Sequence, residues 1–124
     1  MPITAFDHVN IRTHRLDEMI AWYGDILGLY PGPRPDFPFP GAWLYLRDKA
    51  LIHLVGIDNA PAPPQNLGLE HFALKAEGMS DFLAKLDTHG IEARLSPVPG
   101  MPIVQVNIFD PDGNHIHVDF DAEA

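Results

Sequence analysis

The chain has 124 residues, a hydrophobic share of 46% and a formal net charge of -9. That length fits one compact domain with a proper core, and the acidic balance argues against a phosphate backbone, and so against nucleic acid, as a partner. The absence of cysteine excludes disulfides and thiolate chemistry. The opening stretch MPITAFDHVN carries no leader pattern, and no apolar run approaches a membrane span. A cytoplasmic protein with no membrane partner is the expectation.

Residues 5 to 12 form a β-rich run. Leu16, Met19, Ile20, Tyr23 and Leu27 then fall at i, i+3, i+4, i+7 and i+11, one apolar helical face. Gly28 follows as a stop signal. A short strand is expected near 28 to 31, then strands at about 42 to 47 and 50 to 57, joined by a tight turn at Arg47-Asp48-Lys49. Thirteen prolines gather mainly in PGPRPDFPFPG (31 to 41), APAPP (60 to 64) and SPVPGMP (96 to 102). These read as loops, because proline fixes φ and removes a backbone donor; the middle one reads as a linker. Beyond it come a strand near 69 to 75, a helix near 79 to 89 ending at Gly90, and strands near 91 to 95, 102 to 109 and 115 to 120. Both halves read βαβββ, so the α+β chain is expected to form a single domain, 1-124, of two modules at about 1-60 and 65-124.

The halves also match residue by residue. With the second shifted back by 63 positions, Asp7-His8 falls on Glu70-His71, Ile11 on Leu74, Met19 on Phe82 and Ile20 on Leu83. His53, in the last strand of the first half, matches His117 in the last strand of the second, 64 positions on. Four histidines thus occupy two pairs of repeat-related strand positions. If the halves pack as related units, His8, His53, His71 and His117 face a common site, and imidazole is a good ligand for divalent zinc, iron, nickel, manganese or cobalt. His14 and His89 flank helices and read as solvated. His115 reads as a spare donor beside His117, and Asp119, two residues further along the same face, is the weaker alternative ligand.

DHVNI, the helix ending WYGDILGL, LIHLV, LEHFAL and DPDGNHIHV together resemble the vicinal oxygen chelate superfamily: glyoxalase I, bleomycin-resistance proteins and extradiol dioxygenases. The resemblance covers nearly the whole chain. It implies paired βαβββ modules forming a mixed, strongly curved sheet, a cup around a divalent metal, and it implies a homodimer. It places ligands on the first and last strands of each module, where this chain has His8, His53, His71 and His117. The last-strand position commonly carries glutamate in the family, and that glutamate moves the proton in glyoxalase-type isomerisation. Its replacement by His117 leaves the catalytic base unassigned.

Strand alternation nominates the residues that contact substrate. Asn10 and Arg12 share the face of His8, and Trp43 shares one with Tyr45 and Arg47. Gln105 and Asn107 share another, while Val104, Val106 and Ile108 take the core parity. Arg34, in the proline-rich loop, is placed to clamp a carboxylate. The function expected is a metal-dependent lyase, isomerase or dioxygenase on a small substrate with neighbouring oxygens. The alternative is a non-catalytic protein that sequesters a small molecule.

Overall fold

The computed structural model describes residues 1–61 and 68–122; residues 62 to 64 of the expected linker lie outside the described residues. The chain divides into two compact units, Met1–Pro63 and Pro64–Ala124.

The first unit runs β1 (Val9–Thr13), α1 (Leu16–Leu27), β2 (Tyr30–Pro31), β3 (Gly41–Leu46) and β4 (Lys49–Gly56). Helix α1 follows its apolar stripe, burying Met19, Tyr23 and Ile26, and Asp17 and Glu18 sit in its first turn, where carboxylates favour the positive end of the helix. Gly28 ends it in the left-handed region (φ 69°), with the N–H groups of Gly28 and Leu29 closing on the Gly24 and Tyr23 carbonyls. The strands order as β1-β4-β3-β2, β1 parallel to β4 and the rest antiparallel. Alternation sends Ala42, Leu44, Ile52 and Leu54 into the core with α1. Trp43 and His53, paired across β3 and β4, point to the opposite face.

The second unit repeats this plan: β5 (His71–Lys75), α2 (Met79–Thr88), β6 (Arg94–Pro97), β7 (Ile103–Phe109) and β8 (His115–Asp121), ordered β5-β8-β7-β6. The registers correspond. Ala42 opposite Leu54 becomes Val106 opposite Val118, Leu44 opposite Ile52 becomes Ile108 opposite Ile116, and Trp43 opposite His53 becomes Asn107 opposite His117. Helix α2 buries only Leu86, with Phe82 against Phe120 at 5.7 Å.

Some strand starts differ from the sequence pattern. Strands β1 and β5 begin at Val9 and His71 rather than at 5 and 69, and β6 begins at Arg94 rather than at 91. The last shift has a local cause: the Ile91 N–H is spent on the Leu86 carbonyl, closing the end of α2, so the ladder cannot start there. The DPDG segment is a turn built on buried Asp110. Its carboxylate accepts the N–H groups of Asp112 and Asn114, each at 2.9 Å, and the Asn114 side-chain amide at 2.8 Å. Gly113 supplies the positive φ of 85°. This turn delivers β8 in register with β7.

The expected single, strongly curved sheet closing into a cup is not formed. Each unit carries its own open four-stranded sheet, ending in β1 and β2 or in β5 and β6. The physical reason lies at the edges. Strand β2 is only two residues long and contains Pro31, and β6 ends in Pro97; proline has no N–H with which to extend a ladder.

Candidate metal centre

In the second unit, β5 and β8 run side by side in parallel, with His71 opposite His115. Glu70 immediately precedes β5. Its carboxylate reaches both rings: Oε2 contacts His71 Nδ1, and Oε1 lies 3.1 Å from His115 Nδ1. One ligand atom from each of Glu70, His71 and His115 falls within 4.8 Å of the other two. The hydrogen bonds from His71 first, and from His115 second, hold the Glu70 carboxyl below its usual range, so it stays ionised.

The third strand locks this arrangement. Asn107, buried on β7, donates from Nδ2 to the Arg94 carbonyl at 3.1 Å. That turns its Oδ1 toward His115 Nε2, at 2.8 Å, and points His115 Nδ1 at Glu70, where a bound ion would take the place of the Nδ1 proton. A ligating histidine held from behind by a carbonyl oxygen is the usual supporting arrangement of a metal site. Phe109 stacks on the same ring at 5.1 Å. His117 is buried beside His71, ring centroids 4.4 Å apart, and its Nδ1 lies 2.5 Å from Asp119 Oδ1.

One carboxylate and two imidazoles form a donor set suited to zinc, iron or another first-row divalent ion. The fit is chemical as well as spatial, since the carboxylate is already ionised and the orientation of one imidazole is fixed.

The first unit presents a different face. His8 Nδ1 lies 2.6 Å from Asp7 Oδ2, echoing the Glu70–His71 contact. His53, however, sits in a stack between His8 and Trp43, with centroids at 3.7 and 4.0 Å and planes within 10° of parallel. Burial, and secondarily the neighbouring His8, holds the His53 pKa below its ordinary value. Lone pairs of near-parallel rings lie in near-parallel planes, so sharing one ion between His8 and His53 requires a ring to leave the stack.

A family model, the Glyoxalase/Bleomycin resistance protein/Dioxygenase superfamily, matches residues 5–118. The chain belongs to this superfamily. A curated relative from Arabidopsis thaliana, Glyoxylase I 4, is 28% identical over 123 residues, covering 94% of this chain and 70% of its own. Among solved structures, a glyoxalase family protein from Bacillus anthracis shares the fold with a TM-score of 0.78 at 23% identity, covering 98% of both chains. A lactoylglutathione lyase from Agrobacterium tumefaciens does so with a TM-score of 0.71 at 21% identity, covering 96% of this chain and 95% of its own.

Of the expected metal ligands, His8 and His53 lie in the first unit and His71 and His117 in the second. Of the expected substrate contacts, Asn10, Arg34 and Trp43 line one cavity with His53, while Arg12 is exposed. Gln105 pairs across the ladder with Asp119, and Asn107 is spent on Arg94 and His115. His14 and His89 are exposed, His89 donating from Nδ1 to the Lys85 carbonyl at 2.8 Å. Sequence reasoning did not single out Glu70 as a donor: Glu70-His71 served only as a mark of the repeat, although an acid before a strand histidine is itself a donor pair.

No helix among the described residues is long and apolar enough to cross a membrane.

Proposed function

We propose that the protein is a metal-dependent enzyme of the glyoxalase type, a lyase or isomerase acting on a small substrate with neighbouring oxygens. Glu70, His71 and His115 would hold the ion. The observation that carries this reading is Glu70, an ionised carboxylate bridging two imidazoles. It supplies the base that the last strand, with His117 in place of glutamate, does not.

A divalent ion at this donor set supplies a Lewis acid for substrate oxygens. The side chains do the rest. Glu70 accepts the proton that moves between adjacent substrate carbons. Asn107 fixes the His115 ring, and Asp119 fixes that of His117. The names of the Arabidopsis and Agrobacterium relatives support the lyase version over oxygen chemistry.

A second ligand set has its own support. His8, His71 and His117 each have Nδ1 tied to a carboxylate, which leaves Nε2 free for a metal. In that set, His71 and His117 of the second unit ligate through Nε2 and Glu70 only orients His71. His71 belongs to both sets; His115 belongs to the first alone.

The test is isomerisation of a thiol–aldehyde adduct by metal-loaded protein, run beside oxygen uptake with a catechol. Turnover of the adduct, abolished by Glu70→Gln, supports the proposal. Oxygen uptake without isomerisation replaces it with a dioxygenase. Tight binding of the adduct without turnover replaces it with a sequestering protein.

A further inference from the structure

The first unit contains a second feature that the metal chemistry does not use. Behind the proline-rich loop 31–40 lies a cavity of about 160 Å³, lined by Asn10, Arg34, Phe37, Phe39, Trp43 and His53 among others. Arg34 is held in place rather than left to solvent. Its guanidinium lies over the rings of Phe37 and Phe39, at 5.0 and 5.2 Å, and its Nη2 donates to the Phe39 carbonyl at 3.1 Å. It also packs on the bare backbone of Gly41, where a Cβ would come within 2.8 Å of Nη2.

Yet Arg34 Nε is buried without a hydrogen-bond partner, and no ion pair among the described residues engages Arg34. A buried donor left unmade is costly. Among the described lysines and arginines, Arg34 is the one with a buried nitrogen left unpartnered. Its fork geometry matches an incoming carboxylate. The remaining walls are aromatic. The stack of His8, His53 and Trp43 holds the indole in one orientation, and Phe37 faces it at 6.4 Å, tilted by 50°. An apolar cavity of about 150 Å³ holds one benzene ring, so the space takes a single ring.

We propose that this cavity binds a single-ring aromatic carboxylate, with Arg34 taking the carboxylate and Phe37 and Trp43 the ring. The site lies wholly within the first unit and does not depend on a metal.

Benzoate is the probe. Titration calorimetry with the full chain, as purified and after chelation, should give the same affinity in both states. Benzamide, equal in shape but uncharged, should bind at least about tenfold more weakly, and acetate should give no detectable binding. Arg34→Gln should weaken benzoate by about 10- to 100-fold, a charge-assisted hydrogen bond's worth, with Arg34→Lys between the two and melting unchanged. Three results would overturn the proposal. They are loss of benzoate binding on chelation, benzamide binding as tightly as benzoate on the unmodified chain, and no heat from millimolar benzoate.

Discussion

The two units share a core and differ on their open faces. Where the first unit has Ala42, Leu44, Ile52 and Leu54, the second has Val106, Ile108, Ile116 and Val118 in the same register, all buried. On the other side of the same strands, Leu51 of β4 corresponds to His115 of β8, Val55 to Asp119 and Trp43 to Asn107, while His53 and His117 keep the imidazole. The equivalent histidines therefore meet different company. His53 lies between aromatic rings; His117 is tied to Asp119 and packs beside His71. In a duplicated βαβββ plan the fold conserves the side facing the helix, and the chemistry is decided two residues along the strand on the other side.

The strongest challenge to this equivalence is in the core. Leu44→Ala and Ile108→Ala remove matched side chains, both fully buried, and each should cost roughly 2–5 kcal/mol in urea denaturation. A large cost for one and none for the other would break the correspondence. Next comes the matched pair Gly41 and Gln105. A Cβ at Gly41 would sit 2.4 Å from the Leu54 carbonyl oxygen as well as against Arg34, so Gly41→Ala should cost about 1–3 kcal/mol. Gln105→Ala should stay within about 0.5 kcal/mol.

A smaller effect separates the two faces by function. Asn107→Leu removes the oxygen behind His115 and should weaken metal binding by about 10- to 100-fold; the matched Trp43→Leu should leave it unchanged in a competitive chelator titration. Smallest is a pH effect. The His53 pKa is held below 6.5 by burial first and by His8 second. The unfolded chain takes up a proton that the folded chain refuses. Stability should therefore fall as pH drops below about 6.5, down to the lowered folded value. His53→Gln should flatten that slope in denaturation curves between about pH 7.5 and 5.5.

Much of the fold was legible in the residues. The α1 stripe of Leu16, Met19, Tyr23 and Leu27, the Gly28 stop and the core parity of Val106 and Ile108 are local patterns, and local patterns survive folding. The curvature of the sheet was not legible. It depends on what lies beyond the edge strands, and Pro31 and Pro97, which cap those edges, read in sequence only as loop residues. The site was half legible. Repeat matching found the histidines, because their spacing follows strand parity. It set His115 aside because that residue sits at the DPDG turn, and it passed over Glu70 because, in the strand expected near 69 to 75, the glutamate takes the opposite parity to His71. The contact of Glu70 with His115 joins residues 45 positions apart, and no periodicity encodes it.

Metal content of the purified protein, measured beside single replacements of the histidines and of Glu70, tests the proposed centre most directly. The account predicts about one divalent ion per chain, lost in His71→Ala, His115→Leu and Glu70→Gln and retained in His8→Ala and His53→Gln. Full occupancy in His115→Leu, together with loss in His8→Ala and His53→Gln, would contradict it.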